Sequence, residues 1–270
     1  MQSNEELKKI SKNIRKSIIE MVYNAKSGHP GGALSITDIL TVLYFYELNV
    51  NVNNPKYENR DRLVLSKGHS SPALYAVLAE KGFFPKNDLK TFRKIDSYLQ
   101  GHPDMNKVPG VDMSSGSLGQ GLSVSNGMAL GAKLDRKDYR VYCILGDGEI
   151  EEGQVWEAAM TASHYNLDNL CVIVDNNGLQ IDGKTKDVMN SEPIDKKFEA
   201  FGFNVINIDG HNFEEIVNAF EKAKQTKERP TAIIAKTVKG KGISFMENEV
   251  SWHGKAPNDE QYNLAMNELN

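Results

Sequence analysis

The sequence predicts an α/β protein with a doubly wound, mostly parallel sheet flanked by helices. Apolar runs of five or six residues alternate with longer amphipathic segments through the second half of the chain. The apolar runs are typical of strands that are buried on both faces. The segments between them are long enough for helical crossovers, which make neighbouring strands parallel. Because internal repeats and Gly/Ser linkers are absent, residues 1–270 are interpreted as a single domain.

The first part of the chain is predicted to be mainly helical. Residues 5–24 place apolar side chains at steps of three and four, the pattern of an amphipathic helix. Ser35 and Asp38 match a capping box ahead of a long apolar run, which predicts a buried helix. A short strand is predicted at 62–66, and a helix at 71–82 is predicted to end at its final glycine.

The second part alternates between strands and helices. Residues 119–134 have a helical pattern but contain four glycines, which weaken a helix unless another backbone must pack very close. The remaining predicted elements are a strand at 140–145, a helix at 151–165, strands at 170–174 and 203–208, a helix at 212–226 and a strand at 231–236.

Composition and charge exclude several classes of protein. The chain has 270 residues with 32 basic and 36 acidic side chains, a net charge of −4. This mild acidity argues against nucleic acid or an anionic membrane as the main partner. No segment approaches the ~18 apolar residues of a transmembrane helix, and no signal peptide is recognisable. Cys143 and Cys171 lie in apolar runs, so we expect buried thiols in a reducing cytoplasm.

Two neighbouring strand ends carry the sequence expected of a ligand site. Asp147 stands between two glycines directly after one predicted strand, and Asn177 follows the next. Ligands bind beyond the carboxyl ends of parallel strands. Glycines let a phosphate approach the backbone, and carboxylate and amide oxygens suit a hard divalent cation. Either loop alone is an ordinary turn, but the pair favours a phosphate and cation site. The P-loop and dinucleotide-binding motifs are absent.

Four of the six histidines lie in loops beside a glycine, where they are suited to hydroxyl binding, phosphate binding and proton transfer. They are His29, His69, His102 and His253. A zinc site formed by these histidines is a weaker alternative, because no pair has the short spacing typical of zinc ligands.

Other polar features are predicted to have no chemical role. His164 and His211 follow a helix and a strand, and are interpreted as structural. Lys239 and Lys241 are interpreted as a solvated basic turn in preference to phosphate ligands. No function is assigned to the polar tail after Pro257.

The glycine-flanked Asp147, with Asn177 about thirty residues later, resembles the thiamine diphosphate-binding motif. Five further segments are similar to transketolase in particular, and they occur in that family's order between residues 27 and 257. They are SGHPGG, KGHSSPALY, GHPD, GSLGQG and SWHGKAP. The resemblance therefore extends over nearly the whole chain.

The resemblance implies thiamine diphosphate as cofactor and Mg²⁺ or Ca²⁺ as its metal ion. It implies metal ligation by the side chains of Asp147 and Asn177 and the backbone carbonyl of Leu179. The expected cofactor-binding residues are His69, Gly116, Ser117, Leu118, Asp147, Gly148, Glu149, Asn177 and His253. Ser117 departs from the proline that many members of the family have at this position.

The resemblance also implies catalytic residues, which are His29, His69, His102, His253 and Glu152. His69 and His253 are expected to contact the cofactor phosphates, with His253 also facing substrate. His29 and His102 are expected to hold the sugar hydroxyls and assist proton transfer. Glu152 corresponds to an interface glutamate that links the two active sites.

The implied reaction transfers a two-carbon ketol unit from a ketose phosphate to an aldose phosphate, as in the pentose phosphate pathway. Single-chain transketolases continue into pyrimidine-binding and C-terminal domains, which we expect to lie on a separate chain. The expectation is therefore an N-terminal subunit that works with a separate C-terminal subunit, two copies of each forming a heterotetramer.

Two other interpretations remain open from the sequence. Subunits of 2-oxo acid dehydrogenases and deoxyxylulose-phosphate synthase share the aspartate and asparagine pattern, but they fit SGHPG and SWHGKAP less well. A non-catalytic cofactor-binding or regulatory module would have no need of the four loop histidines together with Asp147 and Asn177.

Overall fold

Five parallel strands form the centre of the structure, a computed structural model that describes residues 2–270. The order across the sheet is β1-β2-β3-β5-β4, so β5 lies between β3 and β4. The strands are β1 (Arg62–Leu65), β2 (Val141–Gly146), β3 (Leu170–Asn176), β4 (Asn204–Asp209) and β5 (Thr231–Lys236). Helices cover both faces, which confirms the predicted doubly wound fold.

The two faces of the sheet carry separate cores because successive strand residues point to opposite sides. Tyr142 and Ile144 of β2 join the core formed with α1–α4, α9 and α10, whereas Val141 and Cys143 join the core of α5, α6 and α8. The helices are α1 (Asn4–Ala25), α2 (Pro30–Ser35), α3 (Thr37–Val42), α4 (Ser71–Lys81), α5 (Gln120–Leu134), α6 (Gly153–His164), α7 (Thr185–Val188), α8 (Ile194–Ala200), α9 (Phe213–Gln225) and α10 (Asp259–Glu268).

Several predicted helix boundaries are confirmed by local chemistry. Ser3 and Glu6 form a reciprocal capping box at the start of α1. Helix α4 ends at Gly82, whose φ of 101° lies in the left-handed region that glycine adopts without strain. Within α5, a side chain at Gly121 would overlap Ser66, so the predicted close backbone approach holds there. At Gly127, by contrast, the space is open.

The capping box predicted at Ser35 and Asp38 is wrong. Ser35 ends α2, and its hydroxyl donates to the carboxylate of Asp175 at 2.6 Å. Asp38 lies in α3 and accepts hydrogen bonds from Arg15 Nη1 and Nη2 at 2.8 and 2.7 Å. Both side chains find partners that are distant in sequence, so the local spacing does not decide their role.

The polar tail after Pro257 forms α10, which the sequence pattern did not predict. Asn258 and Gln261 form a capping box at its start. The helix packs on α1, where the rings of Tyr23 and Tyr262 stack with centroids 4.0 Å apart. Among the helices of residues 2–270, none has the length and apolar character needed to cross a membrane.

We predict that Arg15→Ala lowers the free energy of unfolding by about 3–5 kcal/mol, because it leaves the buried Asp38 carboxylate without its ionic partner. Burial alone would raise the pKa of Asp38, but Arg15, His211 and Ser11 hold it well below its usual range. The ion pair therefore contributes stability above pH ~4, and this contribution is lost as pH falls towards the pKa of the folded protein. Urea unfolding at several pH values measures both effects.

Lys8→Ala is the matched control, since Lys8 pairs with Glu5 on the exposed face of the same helix. We expect little change in unfolding for this variant. Equal losses in the two variants would contradict a special role for the buried pair.

Candidate active site

The carboxyl ends of β1, β2, β3 and β5 bring their following loops to one edge of the sheet. Gly146 pairs with Asp175 where β2 and β3 end side by side. The loop that contains Asp147 therefore lies against the loop that contains Asn177, as the sequence predicts. Lys67 follows β1 and Thr237 follows β5 at the same edge.

Asp175 is the polar centre of this edge and has no exposed surface. Its carboxylate accepts hydrogen bonds from Lys67 Nζ at 2.5 Å, from Ser35 Oγ at 2.6 Å and from Thr237 Oγ1. Asn177 Nδ2 also donates to it at 3.1 Å. Burial acts to raise the pKa of Asp175, but the Lys67 ammonium and these donors hold it below its usual value. One ionised carboxylate thus ties four segments together.

Asp147 lies beside this centre and is almost completely buried. Its carboxylate accepts hydrogen bonds from the backbone N–H groups of Gly148 and Gly178. Burial and the nearby charge of Asp175 raise the pKa of Asp147 to about 7. A negative charge at this position is therefore costly in the absence of a cation.

The other two predicted metal ligands lie in the adjoining loop. Asn177 Oδ1 accepts from the backbone N–H of Leu179 at 3.1 Å, and the carbonyl of Leu179 accepts from Lys239 Nζ at 3.2 Å. With Asp147, they form a set of oxygen donors of the kind that hard cations prefer. Nowhere in residues 2–270 do three or more His, Cys, Asp or Glu side chains form a group that could hold a metal ion. The alternative of a zinc site made by the loop histidines therefore has no support in this part of the chain.

Three of the four loop histidines form a cluster. The ring centroids lie 5.3 Å apart for His29 and His69, 5.5 Å for His29 and His253, and 5.2 Å for His69 and His253. Burial lowers their pKa values to about 4 for His29, about 2 for His69 and about 3 for His253, with nearby cations adding to the effect. All three imidazoles are therefore neutral at pH 7, each with one nitrogen that donates and one that accepts.

His102 lies beside this cluster and is more exposed. A Cβ built on Gly116 would be 3.3 Å from the His102 ring, so the histidine borders the loop that follows. Partial burial, followed by the charge of Arg93, lowers the pKa of His102. The structure thus places His102 at the rim. Ser117 and Glu152 are also exposed, and neither lines the cleft.

Glu149 has a clear structural task at the cleft wall. Its carboxylate accepts hydrogen bonds from Gly119 N and Gly146 N, both at 2.9 Å, and from Ser66 Oγ. These donors come from three separate segments, so Glu149 fixes the loop before α5 against the ends of β1 and β2. Both carboxylate oxygens are occupied by protein donors.

The interpretation of Lys239 as a solvated basic turn is wrong. Lys239 is only 2% exposed, and its ammonium contacts Leu179 O and His253 Nδ1, the latter at 3.0 Å. Burial and the charge of Lys67 lower its pKa to about 8. Its position just after β5 was the available signal, because that strand ends at the same edge as β2 and β3. Lys241 does lie in a partly solvated turn, where it pairs with Glu247 at 3.3 Å.

Lys67 is a second buried cation, to which the sequence pattern assigned no role. Its Nζ donates to Gly32 O at 2.9 Å as well as to Asp175.

The structural interpretation of His211 is confirmed, since its ring bridges Asp38 Oδ2 at 2.8 Å and Val238 N at 2.9 Å.

The three clustered histidines, the two buried lysines and the loops of Asp147 and Asn177 surround a cleft of about 240 Å³. Lys67 and Lys239 contribute ammonium groups to its lining, and Leu118 and Ile181 contribute apolar side chains. The predicted site residues that line the cleft are His29, His69, Gly116, Leu118, Asp147, Gly148, Glu149, Asn177, Leu179 and His253. The fold and the cleft define an α/β domain whose oxygen donors, buried lysines and neutral histidines meet at the carboxyl edge of a parallel sheet.

Comparison with known proteins identifies the family. Residues 7–269 match the family described as transketolase, thiamine diphosphate binding domain. The chain therefore belongs to the transketolase family and corresponds to its thiamine diphosphate-binding domain. This match selects transketolase over the other thiamine diphosphate enzymes that share the aspartate and asparagine pattern.

Two similar proteins are named as subunits of transketolases. The 6-deoxy-6-sulfo-D-fructose transketolase subunit SqwG of Clostridium sp. strain MSTE9 is 46% identical, over 95% of this chain and 93% of its own length. A subunit of the apulose-4-phosphate transketolase of Phocaeicola vulgatus is 45% identical, over 94% of this chain and 90% of its own length.

Other matched transketolases are much longer than this chain. Human transketolase is 46% identical over 92% of this chain, which spans 40% of the human protein. The crystal structure of transketolase from Campylobacter jejuni matches with a TM-score of 0.93 and 37% identity, over 99% of this chain and 43% of that one.

We predict that Glu149→Gln lowers the free energy of unfolding by about 1–3 kcal/mol. The NH₂ group of glutamine would replace a carboxylate oxygen, so at least one of the three buried donors would lose its acceptor. Thermal unfolding of the full chain measures the loss. Glu152→Gln, at an exposed glutamate three residues later, is expected to change the melting temperature very little. A Glu149→Gln protein as stable as wild type would show that the three contacts are dispensable.

Proposed function

We propose that this chain is the N-terminal, cofactor-binding subunit of a transketolase that transfers a two-carbon ketol unit from a ketose phosphate to an aldose phosphate. The observation that carries the proposal is one cleft in which the oxygen donors of Asp147, Asn177 and Leu179 lie beside the cluster of His29, His69 and His253. An enzyme of this kind needs an anchor for a metal and a diphosphate next to neutral proton-transfer groups.

The residues present fit thiamine diphosphate with Mg²⁺ or Ca²⁺. The raised pKa of Asp147 reflects a buried carboxylate near a second one, and a divalent cation would offset that repulsion. Asn177 Oδ1 and the Leu179 carbonyl would complete the protein ligands, with Lys239 and Gly148, which line the same cleft, beside the diphosphate. Leu118 and Gly116 would border the rings. When bound, thiamine diphosphate supplies the nucleophilic carbon that cleaves and rebuilds the carbon–carbon bond.

The histidines of this chain would hold the sugar and move its protons. Among the residues that the structure describes, His29 Nδ1 is buried without a hydrogen-bond partner, so this imidazole has unused hydrogen-bonding capacity. A neutral imidazole can accept a proton from one hydroxyl and return it to another atom. His253 lies against the Lys239 ammonium, with its Nδ1 3.0 Å from Nζ, whereas His102 is exposed at the rim. We assign the sugar hydroxyls to His29 and His102.

The complete active site would be formed with a C-terminal partner subunit, two copies of each chain making a heterotetramer. This proposal is supported by the similar proteins that are named as transketolase subunits and matched over at least nine-tenths of their length. The exposed rim, with His102, Ser117 and Glu152, is where a partner would meet the cleft. We place the enzyme in the cytoplasm, consistent with two free, buried cysteines, and in sugar-phosphate metabolism of the pentose phosphate type.

The test of this proposal begins with native capture of the tagged chain from its own cells. We expect a second chain in equal amount, and ketol transfer from xylulose 5-phosphate to ribose 5-phosphate by the captured complex when thiamine diphosphate and Mg²⁺ are added. Steady decarboxylation of pyruvate instead would indicate a different thiamine diphosphate enzyme. Capture of this chain alone, with no cofactor binding, would contradict the proposal.

Asp147→Ala should weaken Mg²⁺-dependent binding of thiamine diphosphate by more than about 100-fold, because it removes the one carboxylate of the proposed metal ligands. Titration calorimetry measures the binding, and a melting curve shows whether the fold persists. Asp182→Ala, at an exposed position of the loop after β3, should bind cofactor like wild type. Wild-type cofactor affinity in Asp147→Ala would exclude the proposed ligand role.

His102→Ala should lower kcat of the complex by about 100-fold while cofactor affinity stays unchanged, because His102 lies at the rim and acts on substrate. Steady-state kinetics and cofactor titration separate the two effects. The exposed His164, at the end of α6, provides the control, and His164→Ala should be unaffected in both measurements. A large loss of cofactor affinity would instead place His102 among the cofactor ligands.

A further inference from the structure

Arg93 occupies an unusual place between two loops that carry predicted catalytic histidines. Its backbone has a φ of 61°, in the left-handed region that residues other than glycine seldom adopt. Its N–H donates to Leu99 O at 2.8 Å, which folds the segment back on itself. The turn directs the guanidinium towards Ser27 and Gly101.

The guanidinium contacts both loops directly. Arg93 Nη1 donates to Ser27 Oγ at 3.0 Å, and Ser27 lies two residues before His29. A Cβ built on Gly101 would be 2.7 Å from Arg93 Nη2, so the backbone just before His102 packs against the guanidinium. One side chain therefore bridges the two loops.

Phe92 reinforces this bridge from the adjacent position. A Cβ built on Gly28 would be 3.3 Å from Phe92 Cε1, and the Phe92 ring is buried. Glycine at 28 and 101 thus allows the Phe92–Arg93 pair to enter between the two loops. The Phe92–Arg93 pair therefore packs against both histidine loops.

The charge of Arg93 is not neutralised by a carboxylate. In the described part of the chain, Arg15 and Arg60 pair with buried aspartates, whereas Arg93 forms no ion pair and its Nε is buried without a hydrogen-bond partner. A partly buried guanidinium without a counter-ion disfavours a second positive charge on the groups around it. Here those groups are His29 and His102.

Building on the proposed function, we propose that Arg93 is a positioning residue for the sugar-handling histidines. Its guanidinium joins the loop of His29 to the loop of His102, and its charge adds to the effect of burial in disfavouring protonation of both imidazoles. The residue acts through the two histidines and is assigned no contact with cofactor.

The charged and titratable groups around the two histidines agree with this role. His29 faces His69 and His253 in the cluster, and its pKa is lowered by burial first and then by Arg93, His102 and Lys239. The pKa of His102 is lowered by partial burial and then by Arg93. Removing the charge of Arg93 would therefore raise both pKa values.

The first test needs no enzymatic activity. Imidazole proton resonances of the full chain are titrated by NMR, with His29→Gln and His102→Gln used to assign them. In Arg93→Met we expect both histidines to titrate at higher pH than in wild type, whereas Arg93→Lys should retain the wild-type titration. Lys94→Met, which removes an adjacent exposed charge, is the control and should leave both unchanged. Unchanged titrations in Arg93→Met would overturn the proposal.

The second test uses the complex of this chain with its partner subunit. We expect Arg93→Met to lower kcat/KM for ketol transfer by about 10- to 100-fold with unchanged cofactor affinity, and to move the acid limb of its pH profile to higher pH. Arg93→Lys should restore the pH profile and part of the rate. If wild-type complex shows no ketol transfer, the proposed function fails, while the NMR titrations still decide the role of Arg93.

A third variant tests the hydrogen-bonded bridge while leaving the charge of Arg93 in place. It also provides a test if Arg93→Met does not fold. Ser27→Ala removes only the hydrogen bond to the guanidinium. We expect kcat/KM to fall about threefold to tenfold with both histidine titrations unchanged. Wild-type kcat/KM in Ser27→Ala would show that the bridge does not position the loops.

Discussion

The ionised carboxylate of Asp175 is the constraint on which the carboxyl edge of the sheet depends. It lies at the end of the central strand β3 without any exposed surface, and its donors come from the end of α2 and from the segments that follow β1 and β5. A buried carboxylate is stable only when its charge and lone pairs are matched. Lys67, Ser35 and Thr237 meet that requirement, and in doing so they fix the walls of the cleft.

The same centre sets the electrostatics of the site. Burial and the charge of Asp175 make a charge on Asp147 costly, while burial and the charge of Lys67 lower the pKa of Lys239 and of His69. The result is a cleft with neutral imidazoles on one side and a carboxylate that favours a cation on the other. Because each of these effects depends on burial, the arrangement functions only while the surrounding segments remain closely packed.

Local sequence patterns were sufficient for most of the fold. The strands, the amphipathic helix α1 and the stop at Gly82 depend on neighbours within four residues or on periodicity, so they could be identified without the structure. Three of the failures have a common cause. Ser35, Asp38 and Lys239 have hydrogen-bond partners 140, 23 and 60 residues away in sequence, respectively, and no local pattern reports such partners.

The sequence by itself determined the doubly wound fold, the transketolase resemblance and the placement of Asp147 and Asn177 at adjacent strand ends, since parallel strands order their carboxyl ends along one edge. Tertiary structure alone decided which polar groups meet there. It gathered three histidines into one cluster, left His102 at the rim, committed Glu149 to protein donors and buried Lys239 beside Leu179. These outcomes depend on side-chain packing between distant segments, because burial shifts the pKa values of the groups that this packing brings together.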